Sequence, residues 1–207
     1  MSNPHDRFRM TPAQEMANAV TILLPTCVFW LMTMRRHCGQ CGCLVGLLVG
    51  SAAHLPVSFT YHLSAALGRY PDRLDNDMRR LDQSMQHATA TVFAFALHYG
   101  EWPSYYYCWL TSAFNLWCIL QIWRKNDGQR RWVHVLLSVL MYTTPIVFKD
   151  RTTTTYAVAM ASFALGGAAF IPEVNQRVFH GWGHALFHLS LCPFAYGLAK
   201  ACVCVDD

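Results

Sequence analysis

Apolar residues along this chain gather into blocks of near-spanning length, and short polar clusters separate them. A helix that crosses a bilayer needs about 20 mostly apolar residues, because the hydrocarbon core is about 30 Å thick. Seven blocks meet or approach that length. They run from about Met16 to Met34, from Cys43 to about Leu67, from just after Asp82 to near Tyr99, from Tyr105 to Trp123, from Trp132 to Phe148, from Thr155 to Ile171, and from near His180–His184 to about Val203. Arg35 and Arg36 close the first, and Pro172 stops the sixth. The third and fifth are the weakest, since His87, His98 and His134 interrupt them. The pattern predicts an all-α membrane protein, a seven-transmembrane helix bundle. Residues 16–204 form its single helix domain and residues 1–15 a polar N-terminal segment. The first block does not read as a cleaved signal peptide. It is long, its strongest positive pair follows the apolar run, and no small-residue cleavage pattern comes after it.

Composition agrees with this reading. Hydrophobic residues make up 54% of the 207 and charged residues only 14%, where a soluble domain carries roughly 25% charge. Lys and Arg concentrate on the cytoplasmic side of membrane proteins. With the N-terminus inside, the inner segments carry eleven of them and the outer segments five. The expected orientation is therefore N-terminus cytoplasmic and C-terminus extracytoplasmic. The net charge of +4 is a topology signal. A nucleic-acid role is excluded, because the basic residues are divided among short loops rather than gathered on one face.

An ionisable residue inside a span is costly and asks for a partner or a function. Ser58 and His62 stand four apart late in the second block, and His184 and His188 four apart early in the last. A four-residue step places both members of a pair on one helix face. Asp82 opens the third block. With strict alternation of spans, the inner end of the second, the start of the third and the start of the seventh lie at one depth. Ser58, His62, Asp82, His184 and His188 therefore converge, which points to an intramembrane metal site. Three histidines with an open fourth position is a standard arrangement for catalytic Zn2+. Asp72, Asp75 and Asp77 are rival carboxylates, but they lie among Pro and Arg, whereas Asp82 borders the apolar run. His180 forms a second four-residue pair with His184, yet Gly181 and Gly183 disfavour regular helix between them, so His180 is held in reserve.

The order S-x3-H, then Leu81-Asp82, then H-x3-H in the last of seven spans resembles the CREST superfamily of membrane hydrolases, which includes alkaline ceramidases and progestin and adipoQ receptors. Ser58-Phe59-Thr60-Tyr61-His62 looks like its S-x-x-aromatic-H element, and His184-Ala185-Leu186-Phe187-His188 like its H-x-x-aromatic-H element. The resemblance covers most of the chain through topology and about a dozen residues through motif. It implies zinc held by His62, His184 and His188, with Asp82 serving the water nucleophile and Ser58 polarising the reacting group. The implied activity is hydrolysis of an amide or ester bond of a lipid, ceramidase-like, with the substrate taken from the bilayer. The alternative is an adipoQ/progestin receptor-like sensor whose zinc site is structural.

Other features add less. His54 lies two turns before His62 and approaches the same interior, but it reads first as a hydrogen-bonding residue of the bundle, as do His87, His98 and His134. His5 and His37 fall in polar segments. Cys38, Cys41 and Cys43 form a cluster that suits a metal clip, lipidation or a disulfide. Cys202 and Cys204 lie on the same, outer side, where disulfides persist. Tyr105–Tyr107 with Trp102 and Trp109 reads as an aromatic belt. Gly166-Gly167-Ala168-Ala169 would let a second helix approach closely. No G-x-S-x-G, phosphate-binding glycine loop or di-iron histidine box is present.

Overall fold

A computed structural model describes residues 10–35, 42–70, 76–98, 104–125, 132–147 and 153–202, and among them every regular element is a helix. The helices are α1 (Pro12–Thr21), α2 (Leu23–Met34), α3 (Gly42–Ala66), α4 (Asp77–Leu97), α5 (Ser104–Lys125), α6 (Trp132–Val147), α7 (Thr153–Phe170), α8 (Pro172–Arg177) and α9 (Gly183–Ala201). Each apolar block of the sequence coincides with one of these rods. The first is divided into α1 and α2, and the short α8 is an addition. Two rods are long and apolar enough to cross a membrane, Pro12–Met34 and Gly42–Ala66. Asp72, Asp75, Cys38, Cys41, Cys204, Trp102, His5 and His37 lie outside the described residues.

Local chemistry explains the ends that matter. Thr11 caps α1 reciprocally with Gln14: the Gln14 N–H donates to Thr11 Oγ1 at 3.3 Å, and the Thr11 N–H donates to Gln14 Oε1 at 2.7 Å. The rod breaks at Ile22 because Pro25 has no N–H to give the Thr21 carbonyl. Asn76 caps α4, accepting from the Arg79 N–H at 2.8 Å. Before α9 the chain turns through His180 and Gly181, at φ 49° and 91°. That turn is tied down twice. Gln14 Nε2 donates to the His180 carbonyl at 2.7 Å, and the Gly183 N–H donates to Asn175 Oδ1 at 2.7 Å. Gly181 is required there both by its positive φ and by the Gln14 amide lying where a Cβ would stand.

α9 packs on α7, α2 and α1, and α3 packs on α4, α1 and α2. These contacts bring the inner faces of α1, α3, α4 and α9 together. Small residues permit the closest approaches. A Cβ on Gly166 would fall on the Ser190 side chain of α9, one on Gly197 would fall on Ala159 of α7, and one on Gly46 would lie 2.7 Å from Ala96 Cβ of α4. The apolar core between the helices is built on Phe29, Leu47, Phe93, Ile146, Phe194 and Leu198. Cys43 at the start of α3 and Cys202 after α9 form a disulfide, with Cα atoms 5.6 Å apart, so one member of the cysteine cluster does pair with the C-terminal region. Its 159-residue separation removes entropy from the unfolded chain, worth a few kcal/mol on the loop-closure account.

Polar side chains are buried beside the apolar core, and large apolar ones are exposed. Glu15, Asn18, Asp82, Asn115, His62 and His184 are buried, while Tyr106, Trp109, Val133 and Leu165 are exposed, the last at 73%.

Neighbouring glycines supply a test of the α7–α9 contact. Gly166→Ala forces α9 outward and should lower stability by about 1–3 kcal/mol, as overpacking does. Gly167, with nothing within 4 Å of its added Cβ, should accept Ala with no loss or with a gain of up to about 1 kcal/mol in helix propensity. Thermal unfolding of the two variants in detergent measures the difference. Equal melting temperatures would rule out the approach of α9 over Gly166.

Candidate metal centre

α3 delivers His62 from its final turns, and α9 delivers His184 and His188 from its first two. The four-residue step stacks the α9 pair on one face, with ring centroids 4.6 Å apart. His62 meets them from the opposite helix, its ring 4.7 Å from His184 and 5.8 Å from His188. One ligand nitrogen from each of the three lies within 4.8 Å of the others, and all three residues are buried. Among the described residues this is the only group of histidine, cysteine or carboxylate side chains with that geometry.

The far side of this cluster is held by α1. Glu15, Asn18 and Thr21 recur every third residue along one face of that helix. His62 Nδ1 donates to Glu15 Oε2 at 2.7 Å, with both side chains 1% exposed. His188 Nδ1 lies 3.2 Å from the Asn18 carbonyl and 3.1 Å from Thr21 Oγ1. A carboxylate and a carbonyl only accept, so both rings carry their proton on Nδ1 and present a lone pair at Nε2. His184 Nδ1 faces the Asn18 side-chain amide at 3.4 Å. Ligation through its Nε2 requires the amide oxygen on that side, which a half-turn of the isosteric amide provides. Histidines that bind metals are characteristically oriented this way, the other ring nitrogen donating to a carboxylate or carbonyl.

The donor set fits a divalent cation on a second count. His62 Nε2 is buried with no hydrogen-bond partner. A buried polar atom left alone costs about 1–3 kcal/mol, and a metal bond removes that cost. Imidazole nitrogens suit zinc, copper, iron and nickel.

Next to the cluster lies a cavity of about 140 Å³. Ser58, Asp82, His54, His184 and His188 are among its polar lining residues, and Phe29, Phe93, Phe163, Phe187, Leu191 and Phe194 among its apolar ones. Ser58 and Asp82 are 2% and 1% exposed. The structure thus brings His62, His184 and His188 together, and Ser58 and Asp82 line the cavity that His184 and His188 also line, while His62 is not among its lining residues. Among the rivals, Asp77 is excluded: its side chain is 79% exposed and pairs with Arg80 in the first turn of α4. His180 is also excluded, since it is exposed in the turn before α9 and contributes only its carbonyl, to Gln14.

Sequence reasoning missed the α1 residues. Residues 1–15 were expected to form a polar segment apart from the bundle, yet Gln14 and Glu15 belong to α1 and are buried. The signal was there: three polar residues at helical spacing in the opening turns of an apolar block demand partners inside the bundle. His87 behaves as expected of a bundle histidine, donating from Nδ1 to Asn115 Oδ1 at 2.8 Å, while Ser138 donates to the same oxygen at 2.6 Å.

No protein-family description, curated protein or solved structure matches the chain.

Metal analysis of the purified protein checks the cluster. Ala at His62, His184 or His188 should sharply reduce bound metal, and His180→Ala should leave it unchanged. Glu15→Gln should weaken affinity about 10–100-fold without abolishing binding, as loss of an orienting partner does. A triple His62, His184 and His188 variant that retains the wild-type metal content would remove the site.

Proposed function

We infer that this chain is a seven-span, zinc-dependent hydrolase of the bilayer, cleaving an amide or ester bond of a lipid in a ceramidase-like reaction. The observation that carries this reading is the three-histidine cluster, two of whose members, His184 and His188, line one cavity with Asp82 and Ser58. The resemblance of those residues to the CREST motifs supports it. The exposure of large apolar side chains supports the membrane placement, since exposed apolar surface on this scale suits lipid and not water. The orientation is N-terminus cytoplasmic and C-terminus extracytoplasmic. It is supported by the Lys and Arg distribution and by Cys43–Cys202, which ties the two helix ends assigned to the oxidising side.

His62, His184 and His188 would hold the ion. A zinc bound there supplies Lewis-acid polarisation of the scissile carbonyl and brings the pKa of water towards neutrality. The remaining work falls to the chain. Asp82 accepts a proton from the attacking water and returns it to the departing nitrogen or oxygen. Ser58 donates a hydrogen bond to the oxyanion that develops on the carbonyl. The balance is that of hydrolysis: water adds its oxygen to the carbonyl carbon, the C–N or C–O bond breaks, and the leaving group takes the proton. The lining phenylalanines accommodate a hydrocarbon tail, with the reacting bond left at the polar residues.

Asp82→Asn separates an enzyme from a receptor-like sensor with a structural ion. It should keep zinc content and melting temperature while the rate on a long-chain N-acylsphingosine falls about 10²–10⁴-fold. Stoichiometric zinc in the wild-type protein, with no metal-dependent product from ceramides, acylglycerols or phospholipids, would overturn hydrolysis in favour of the sensor.

A further inference from the structure

His54 has no part in the mechanism above, yet it lies at the same cavity and touches its carboxylate. His54 Nε2 is 3.1 Å from Asp82 Oδ1, and both residues line the cavity. His54, Ser58 and His62 follow one another at four-residue steps along α3, so a single helix face presents all three. The pair joins α3 to α4 at a level where these helices cannot slide. Thr89 Oγ1 donates to the Gly50 carbonyl at 3.1 Å, one turn before His54. A Cβ on Gly50 would press on the Val92 and Phe93 side chains at 3.1 Å, so these side chains of α4 pack directly on the glycine of α3. The His54–Asp82 pair therefore lies beside a point where α3 and α4 are packed together and hydrogen-bonded.

We propose that His54 is the positioning residue for Asp82. A carboxylate only accepts, so His54 carries its ring proton on Nε2 and donates it to Oδ1. A buried carboxylate on a short stem can turn about its Cβ–Cγ bond. Anchoring one oxygen to α3 fixes the carboxylate plane, and with it the direction in which the group meets a water in the cavity. Proton acceptors have to be held within a fraction of an ångström of productive geometry, and His54 supplies that hold from the helix that also carries Ser58 and His62. This role rests on the hydrolase reading, but the pair itself does not.

Two measurements test it on the zinc-loaded full chain in detergent micelles. The first uses a fluorescent long-chain N-acylsphingosine. His54→Ala should lower kcat about 10–100-fold, the usual effect of losing an orienting partner, with KM and zinc content unchanged. His54→Gln, which keeps a donor N–H and most of the volume, should recover much of the rate, and it is the variant to read if His54→Ala does not fold. In an Asp82→Asn background His54→Ala should cost little more, because both changes remove one unit. An equal loss in that background, or a raised KM with unchanged kcat, would overturn the positioning role. The second measurement is ¹⁵N-histidine NMR, which reports the tautomer without any turnover. The His54 ring, assigned by its loss in His54→Gln, should be the Nε2–H form and should lose that preference in Asp82→Leu. An Nδ1–H ring in the wild-type protein would refute the pair. If the tautomer is as expected but the wild-type protein turns over no lipid, the hydrolase reading fails and the His54–Asp82 pair stands.

Discussion

The three histidines could not converge without the polar face of α1. A histidine ring brought into an apolar bundle has two nitrogens to satisfy, and a metal can take only one. Glu15, the Asn18 carbonyl and side chain, and Thr21 engage Nδ1 of His62, His188 and His184. They thereby decide which nitrogen of His62 and His188 bears a lone pair towards the common centre. The same helix reaches the turn before α9 through Gln14. Docking of α1 and assembly of the cluster are thus one event. A helix whose buried residues are Gln14, Glu15, Asn18 and Ala19 has little apolar surface with which to hold its place, so these polar contacts are what hold it.

That dependence accounts for the rest of the architecture. Buried polar networks stabilise a fold only when nearly every member is satisfied, and satisfaction requires fixed distances between helices. Gly46 and Gly50 set α3 against α4, and Gly166 and Gly197 set α7 against α9. On the proposed membrane placement the apolar effect would no longer distinguish inside from outside, and close packing and hydrogen bonds would specify the arrangement. Pro25 breaks the first rod at the point where its polar lower part, facing the histidines, gives way to the apolar α2.

Much of this could be read from the sequence, for a physical reason. Helices of spanning length alternate in direction, so depth follows from block order alone. The four-residue steps Ser58–His62 and His184–His188 fix a face, and Asp82 is placed by the start of its block. Those three constraints lead to the expectation of one site, and the structure brings His62, His184 and His188 of that set together. Glu15 was not legible as part of it, because a carboxyl group at the edge of an apolar block reads equally well as a solvated end. Its partner is 47 residues away on another helix. His54 was ambiguous for the related reason that spacing shows which face a residue shares but not what stands opposite. The choice among Asp72, Asp75, Asp77 and Asp82 turned on the apolar border, and of the two described carboxylates Asp82 is buried while Asp77 is exposed and paired with Arg80.

The two buried carboxyl groups of the centre then divide its labour by position. A divalent ion on three neutral imidazoles would bring two positive charges into a low-dielectric interior, at a cost of several kcal/mol per uncompensated charge. Glu15 and Asp82 together can offset that charge, but they stand in different places. Glu15 accepts from His62 Nδ1 and is not among the residues that line the cavity, so it would act on a bound ion through the imidazole. Asp82 lies at the cavity, where a reacting molecule would be, and is held by one oxygen from His54. Exchanging the two carboxylates would leave the charge balance intact and still disable the site. Glu15 is not among the cavity's lining residues, whereas Asp82 is. The net charge of the centre and its chemistry are therefore separable properties. The first is set by how many carboxylates α1 and α4 contribute, and the second by the side of the histidine cluster from which each arrives.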